Sequence, residues 1–222
     1  MLMPRLCPAC GHAMLEGEEA MCSACRIALP RLGPADIVAG TLADALSNAP
    51  APPGFTAIWF RYGSTGPFAR LVRDAKYADR PALARKLGRE FARELISDRG
   101  DTLAAVDLLL PVPMHWQKQL RRGYNQSIEI AAGIADVTGI PIGDNLVAVA
   151  PHATQTHRSR RARLSNVRGT IACEAPHELH DLDICLVDDI VTTGATIGEC
   201  IMALRRATAR PASIGAITLG AP

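Results

Sequence analysis

The sequence has few lysines, a small net charge and no long apolar run. Each of these features excludes some classes of protein. Of the 24 basic residues only Lys76, Lys86 and Lys118 are lysine, and 22 acidic residues leave a formal net charge of +2. So small a charge does not by itself indicate nucleic-acid binding. No apolar run approaches the roughly 20 residues that span a bilayer, and no stretch before Cys7 is typical of a secretory signal. We therefore expect a cytoplasmic protein without a membrane span.

The composition is that of a folded chain. Hydrophobic residues make up 48% and charged residues 21% of the 222 residues. A disordered chain has fewer apolar residues and a larger net charge. Five prolines between residues 30 and 53 indicate a linker. We predict a cysteine-rich segment at 1–30, a linker at 31–54 with a short helix near 42–48, and one larger domain at 55–222.

From residue 55 onward, strand-like and helix-like patterns alternate. Strands are predicted at 55–62, 106–113, 146–149, 184–187 and 213–219. Helices with apolar residues three and four apart are predicted at 68–75, 79–95, 128–135 and 197–204. This alternation predicts an α/β fold with a mostly parallel sheet, in which ligands bind at the carboxyl ends of the strands.

Four of the seven cysteines form two closely spaced pairs, Cys7-x-x-Cys10 and Cys22-x-x-Cys25. Two such turns aim four sulfurs at one point, which matches a tetrahedral zinc site. Gly11 supports this interpretation, because a glycine there can take a positive φ and let backbone amides face the sulfurs. A redox CxxC and a pair of disulfides are the alternatives. A site closed by four cysteines has no open position for chemistry, so the metal would fold this segment into a ribbon.

The most informative segment runs from Ile184 to Thr196. A buried strand delivers Asp188 and Asp189 to its carboxyl end, and a short loop then opens a helix. Free amides at a helix start bind phosphate, and adjacent carboxylates suit two sugar hydroxyls or a sugar-bound Mg2+. The segment indicates a ribose 5-phosphate site, unless the strand simply ends in acids and a threonine cap without a ligand. The loop, here called the phosphate loop, consists of Thr192, Thr193, Gly194, Ala195 and Thr196.

The same segment resembles the motif that binds 5-phosphoribosyl 1-diphosphate (PRPP) in type I phosphoribosyltransferases, although Ala195 stands where many members have a second glycine. Three further features resemble the ComF family of competence-associated, amidophosphoribosyltransferase-like proteins. They are the paired CxxC, the Pro-Val-Pro at 111–113 followed by Arg-Gly-Tyr-Asn-Gln at 122–126, and a set of residues in the arginine loop at 150–168. The residues concerned are Gln155, Arg163, Asn166 and Val167 in this loop and Gly169 directly after it.

The resemblance implies a fold and a ligand. The fold would be a mostly parallel sheet of the type I phosphoribosyltransferase kind, preceded by a small four-cysteine zinc ribbon. The ligand would be PRPP with Mg2+. Asp188 and Asp189 would hold the ribose hydroxyls, and the phosphate loop would hold the 5-phosphate. Backbone amides of Met114 and His115 would contact the diphosphate.

Two arginines complete the site that the resemblance implies. Arg122 and Arg163 would cover the diphosphate and exclude water, as mobile lids commonly do. Together with Asp188 and Asp189 they form the expected catalytic set. The reaction at ribose C1 would need no covalent protein nucleophile, only charge stabilisation on the leaving diphosphate and constraint of the ribose.

The sequence does not identify an acceptor for the phosphoribosyl group, so two functions stay open. One is a phosphoribosyltransferase that serves DNA uptake. The other is a non-catalytic adaptor that senses PRPP or nucleotides and binds DNA or the uptake machinery, such as a helicase-like ATPase, through its ribbon and arginine loop. Five arginines without an acid between Arg158 and Arg168 can meet a phosphate backbone, but codon composition alone can also produce an arginine excess. No aromatic residue is interleaved there to stack on bases.

Overall fold

Helices and strands alternate through the described part of the chain. The computed structural model describes residues 4–33, 53–76, 80–99, 101–150 and 168–221. Its strands are β1 (Pro53–Arg61), β2 (Leu108–Pro111), β3 (Leu146–Ala148), β4 (Ile171–Cys173), β5 (Asp183–Ile190) and β6 (Ser213–Ala221). Its helices are α1 (Ser23–Ile27), α2 (Pro67–Lys76), α3 (Pro81–Arg99), α4 (Asp101–Ala104), α5 (Trp116–Arg122), α6 (Gln126–Thr138) and α7 (Ala195–Arg206), with a 3-10 helix at Pro176–Leu179.

Four strands form a parallel sheet in the order β1-β6-β5-β2. Strand β5 lies inside the sheet, where Ile184 pairs with Leu108 of β2 on one side and Ile214 of β6 on the other. Its residues from Ile184 to Val187 are buried, as expected for a strand that is covered on both faces. The predicted mostly parallel sheet is confirmed. Strands β3 and β4 form a separate antiparallel pair.

The strands and helices that were predicted from residue 55 onward are present, with shifted ends. Strand β5 extends to Ile190, so Asp188 and Asp189 belong to the strand, directly before its last residue, and do not follow it. The strand predicted at 106–113 is confined to Leu108–Pro111. Helix α5 gives no signal in the sequence, because none of its residues is buried and an apolar period is therefore absent.

Helices α3 and α6 pack against each other at two glycines. A Cβ on Gly133 would lie 2.0 Å from the carbonyl oxygen of Arg85, and one on Gly88 would lie 2.2 Å from that of Ile130. No side chain fits at either position, so the two helix backbones are in direct contact. Arg85 also pairs with Asp136 of α6 at 2.5 Å. This packing fixes α6, whose first turn contacts β5.

The ribbon packs on helix α3. The backbone N–H of Ala20 donates to Glu90 Oε1 at 3.1 Å, and Glu19 pairs with Arg89 at 3.2 Å. One hydrophobic cluster contains residues of both the ribbon and α3. Burial raises the pKa of Glu90, and the hydrogen bond from Ala20 opposes that shift in part. The ribbon therefore touches the larger domain, and the boundaries at residues 30 and 54 stay a prediction.

Two predicted features lie outside the described residues. They are the short helix near 42–48 and the arginine loop up to residue 167, which includes Gln155, Arg163 and Asn166. Among the residues that are described, no helix combines the length and the apolar character needed to cross a bilayer.

Candidate ligand site and metal centre

The end of strand β5 carries two acidic side chains next to each other. Asp188 Oδ1 accepts hydrogen bonds from Ser127 Oγ at 3.1 Å and from the backbone N–H of Asp189 at 2.8 Å. Asp189 Oδ1 accepts one from the backbone N–H of Ile190 at 2.6 Å. Burial and the charge of Asp189 raise the pKa of Asp188 to about 7. Both carboxylates are thus held in fixed orientations at the edge where parallel sheets bind ligands.

A lysine from the first half of the chain contacts Asp189, one of the two aspartates that are here called the acidic pair. Lys76 ends helix α2 and places its Nζ 2.9 Å from Asp189 Oδ2. Burial lowers the pKa of Lys76, but the charges of Asp189 and Asp188 outweigh burial and the net shift is upward. Sequence reasoning missed this residue. The feature of the sequence that could have indicated Lys76 is the rarity of lysine. A chain that uses arginine elsewhere can keep lysine where a compact ammonium group is needed.

Helix α5 adds two more cations. Arg122 Nη1 donates to Gln126 Oε1 at 2.7 Å. Partial burial, and then the positive charge of Arg122, lower the pKa of Lys118, while the charges of Asp189 and Asp188 oppose the shift. Lys118 therefore lies within electrostatic reach of both Arg122 and the acidic pair. With the lysine of α2, positive groups outnumber the two carboxylates, which suits a ligand that carries several negative charges.

The segment after α5 holds neighbouring elements in place. The Tyr124 hydroxyl donates to the carbonyl oxygen of Ala75, and Gln126 Nε2 donates to that of Lys76 at 3.1 Å. Both acceptors belong to the last turn of α2, where carbonyl oxygens have no donor within the helix itself. These side chains therefore fix the end of α2 beside the acidic pair.

The turn between β2 and α5 contains the residues that were expected to contact diphosphate. His115 is 6% exposed, and its Nδ1 accepts from the backbone N–H of Gln117 at 3.4 Å, which caps α5. Asn125 Nδ2 donates to the carbonyl oxygen of Val112 at 3.0 Å and fixes the turn from the other side. The imidazole of His115 thus acts as a helix cap. Diphosphate contact through the amides of Met114 and His115 stays a prediction.

The predicted phosphate loop lies where β5 leads into helix α7. Gly194 precedes the helix with a φ of +68°, a left-handed conformation that favours glycine. Thr193 Oγ1 accepts from the backbone N–H of Ala195 at 3.4 Å. Asp188, Thr192, Thr196 and the residues between the two threonines line one small concavity. The structure therefore brings the first aspartate, the whole loop and the amino end of α7 together.

One end of the arginine loop is anchored on helix α7. The backbone N–H of Gly169 donates to Glu199 Oε1 at 2.7 Å, and Glu199, only 4% exposed, pairs with Arg206 at 2.6 Å. Arg206 Nη2 also donates to the carbonyl oxygen of Ile171 at 3.0 Å. Gly169, which directly follows the arginine loop, is therefore held against the helix that follows the phosphate loop. Arg163 lies outside the described residues, and its position over diphosphate stays a prediction.

The four cysteines of the ribbon form a cluster that fits a metal ion. The sulfurs of Cys7, Cys10, Cys22 and Cys25 all lie within 4.8 Å of one another, and those of Cys10 and Cys22 are 3.6 Å apart. Tetrahedral zinc with bonds of about 2.3 Å needs sulfurs about 3.8 Å apart. Gly11 has a φ of +79°, and its N–H donates to the carbonyl oxygen of Cys7 at 2.8 Å, as the predicted turn requires. The donor set and its spacing therefore match zinc.

His12 lies beside this cluster. Its Nδ1 is 3.4 Å from Cys10 Sγ. Hydrogen bonds from the backbone and the side chain of His12 lower the pKa of Cys10 to about 6. Because thiolates rather than thiols bind metal, this shift favours the ligand form of Cys10, whereas burial raises the pKa of Cys25.

Among solved structures, the chain is similar to enzymes that are much longer than the matched part. The allosteric regulatory enzyme of purine biosynthesis is 24% identical with a TM-score of 0.42, over 66% of this chain and 30% of that one. A glutamine PRPP amidotransferase from B. subtilis is 22% identical with a TM-score of 0.41, over the same shares of the two chains. The chain therefore spans less than a third of the length of either enzyme.

Curated proteins match the chain more completely, whereas no family model matches it. The chain is 28% identical over 143 residues to Competence protein F of Haemophilus influenzae, covering 63% of this chain and 62% of that protein. It is 30% identical over 220 residues to the DNA utilization protein YhgH of Salmonella typhi, and this match covers 93% of each protein. On this near-complete match, the chain belongs to the ComF family, which includes YhgH and Competence protein F.

Proposed function

We propose that the chain binds PRPP together with Mg2+ at the carboxyl end of β5. The observation that carries this proposal is that three features converge on one strand end: a carboxylate pair, the amino end of α7 and the cations of α5. They match the ribose hydroxyls, the 5-phosphate and the diphosphate respectively. A simple anion would need only one of the three, whereas PRPP accounts for all of them.

The acidic pair would bind the ribose and its metal ion. Carboxylate oxygens are donors that Mg2+ prefers, and each oxygen has two lone pairs, so Asp188 and Asp189 can accept from two neighbouring hydroxyls. The bound ion would supply positive charge to the diphosphate. The hydrogen bond from Ser127 orients Asp188 before the ligand arrives, which lowers the entropic cost of binding.

The phosphate loop would bind the 5-phosphate. Backbone amides at the amino end of α7 have no partner within the helix and point towards an incoming anion, and the helix dipole favours negative charge there. Hydroxyls of Thr192, Thr193 and Thr196 would add donors. Gly194 and Ala195 have little or no side chain, so a phosphate can approach their backbone closely.

The cations would stabilise the diphosphate as it leaves. A nitrogen nucleophile would form a bond to ribose C1 while the bond from C1 to the diphosphate oxygen breaks, and the diphosphate would keep that electron pair. Lys118, Arg122 and the predicted Arg163 would stabilise the negative charge that develops. Whether the chain is a transferase or a PRPP-sensing adaptor is decided by screening nitrogen acceptors for diphosphate release.

Calorimetry with PRPP and Mg2+ tests the binding site. The Asp188→Asn, Asp189→Asn double variant should lose Mg2+-dependent binding, with a melting temperature close to that of the wild type. A matched control is the Asp144→Asn, Asp181→Asn double variant, which removes two exposed acids outside the site. The control should bind like the wild type. Unchanged affinity in the first double variant would rule out this site.

A nucleic-acid-binding function is the second candidate, and an exposed tryptophan favours it. Trp116 is 63% exposed at the start of α5, and exposed Arg121 lies on the same helix. Single-strand binders combine aromatic rings that stack on bases with cations that follow the phosphates. Because relatives are named for DNA utilization and competence, we propose that the chain serves DNA uptake, with DNA or a helicase-like ATPase of that machinery as its partner.

Titration with fluorescent single-stranded DNA separates the two candidates. Trp116→Ala with Arg121→Ala should weaken DNA binding and flatten its salt dependence by about one unit of log–log slope for the lost phosphate contact. The affinity for PRPP should not change. Arg210→Ala, which removes an exposed arginine outside α5, is the control. Equal DNA binding by all three proteins would exclude α5 as a DNA contact.

We also propose that the cysteine cluster binds one structural zinc ion. Four thiolates close the coordination sphere, so the ion would hold the ribbon together and take no part in catalysis. Thiolate ligands need a reducing compartment, which agrees with the expected cytoplasmic location. Metal analysis of the purified protein should find one zinc per chain.

A further inference from the structure

Lys76 is held in place more firmly than a surface ion pair requires. Its Nζ lies 2.9 Å from Asp189 Oδ2, and the two side chains are 23% and 16% exposed. By comparison, the neighbouring pair of Arg80 and Asp74 is separated by 3.3 Å with side chains 55% and 31% exposed. Removing an ammonium group from water is unfavourable unless its partner is well placed. Asp189 is such a partner, so the position of Lys76 at this strand end depends on its contact with Asp189.

The backbone of Lys76 is fixed by a second set of contacts. Gln126 Nε2 donates to the carbonyl oxygen of Lys76, and the Tyr124 hydroxyl donates to that of Ala75. The other end of the same amide, Gln126 Oε1, accepts from Arg122 Nη1 at 2.7 Å. One glutamine thus connects the carbonyl of Lys76 to the guanidinium of Arg122, and the end of α2 is built into the site.

Asp189 is constrained at both of its oxygens. Oδ1 accepts from the backbone N–H of Ile190 at 2.6 Å, and Oδ2 accepts from Lys76 at 2.9 Å. Each oxygen has two lone pairs, so one lone pair on each stays available to a ligand. Without Lys76 only one oxygen would be constrained, and the carboxylate would be free to leave the orientation that a ribose diol needs.

We propose that Lys76 is a positioning residue of the ligand site, which orients Asp189 for the hydroxyls of a phosphoribosyl ligand. This inference rests on the proposed function. Lys76 acts through Asp189 and has no contact of its own with the diphosphate. The role differs from that of Lys118 and Arg122, whose charges serve the diphosphate directly.

A double-mutant cycle tests this role, with affinities for PRPP and ribose 5-phosphate measured by calorimetry in the presence of Mg2+. Lys76→Met should weaken both ligands by the same factor, roughly tenfold or more, because both contain the ribose and a charge-assisted hydrogen bond is lost. Lys76→Arg keeps the charge and should recover most of the affinity. Lys76→Met should cost nothing further in an Asp189→Asn background. Lys86→Met, which removes a lysine of α3, is the control and should bind like the wild type.

Each other outcome has a definite meaning. Unchanged affinity in a folded Lys76→Met protein overturns the inference alone, and so does a loss that is fully additive with Asp189→Asn. A loss confined to PRPP also overturns it, since Lys76 would then contact the diphosphate. If the wild type binds neither ligand, the proposed function and this inference fail together. If Lys76→Met does not fold, Lys76→Gln, which keeps a donor without a charge, replaces it in the cycle.

Discussion

The cysteine cluster and the ligand site are assembled in opposite ways. The cluster takes all its ligands from residues 7–25, where two short turns aim the sulfurs at each other. The ligand site takes its groups from α2, α5, α6, β5 and α7, and hydrogen bonds between these elements hold it together. A segment of about thirty residues buries little surface of its own, so we expect the cluster to depend on a metal ion, whereas packing of the larger domain brings the groups of the candidate ligand site together.

This difference predicts which changes affect only one of the two regions. Loss of metal should disorder the ribbon and spare the ligand site. Loss of packing between α3 and α6 should disturb the ligand site, because Ser127 in the first turn of α6 holds Asp188. The contact between Glu90 and Ala20 is one of the places where the two regions meet.

The largest effect is expected for Cys10→Ser. A structural zinc site contributes roughly 10 to 16 kcal/mol to the folding of such a segment, so the variant should lose its zinc and the order of the ribbon. Metal content and backbone NMR signals of residues 4–30 would measure the loss. Cys173→Ser, outside the cluster, should retain the zinc. Loss of PRPP binding together with the metal would contradict the separation of the two regions.

A smaller effect is expected for Gly133→Ala. The new Cβ would lie 2.0 Å from the carbonyl oxygen of Arg85, so α3 and α6 must move apart. The free energy of unfolding should fall by roughly 3 kcal/mol, and PRPP affinity should fall with it, because α6 carries Ser127. Urea unfolding and calorimetry measure the two effects. Gly63→Ala is the matched control, because the nearest atom to its new Cβ, the carbonyl oxygen of Thr65, would be 3.5 Å away. An equal loss of stability in both variants would contradict the explanation by close helix packing.

Arg163→Ala tests the part of the ligand site that lies outside the described residues. If the arginine loop covers the diphosphate, the variant should weaken PRPP more than ribose 5-phosphate, by roughly 1.5 to 3 kcal/mol for one charge-assisted contact. Calorimetry with both ligands gives the ratio. Arg158→Ala in the same loop serves as the control. Equal loss of both ligands would mean that Arg163 does not act on the diphosphate.

The smallest effect is expected at the junction of the two regions, for Glu90→Gln. Burial raises the pKa of Glu90, so the folded state holds its proton more tightly than the unfolded state does. Its contribution to stability is therefore greatest below the ordinary glutamate pKa and falls as pH rises through the raised one. The variant should lack this fall. Melting temperatures measured from about pH 4.5 upward would show this difference between the wild type and Glu90→Gln. Glu16→Gln, which removes an exposed glutamate, is the control. Parallel curves of melting temperature against pH for the wild type and both variants would contradict the prediction.

The cysteine cluster was fully predictable from the sequence. Each pair of ligands lies within one turn, and Gly11 takes the positive φ that the pattern requires. The phosphate loop was predictable for the same reason, since the strand, the two aspartates, Gly194 and the helix follow one another directly along the chain. The parallel sheet followed from the alternation of strands and helices.

Lys76, Ser127 and helix α5 were not predictable in this way. Lys76 and Asp189 come from opposite halves of the chain, and no local pattern relates them. Helix α5 buries no residue and so has no apolar period. Tyr124 and Gln126 hold the end of α2. This role could be recognised only from their hydrogen bonds to the carbonyl oxygens of Ala75 and Lys76 in the structure.

The sequence by itself therefore determined the cysteine cluster, the conformation of the phosphate loop and the fold class, because neighbouring residues set the geometry of a turn and the period of an element. Only the tertiary structure decided which cations reach the acidic pair. The order of strands in the sheet places Asp188 and Asp189 beside the first turn of α6, and the hydrogen bonds of Tyr124 and Gln126 bring the end of α2 to the same place. Distances between elements depend on how their surfaces pack, and packing is a property of the whole domain.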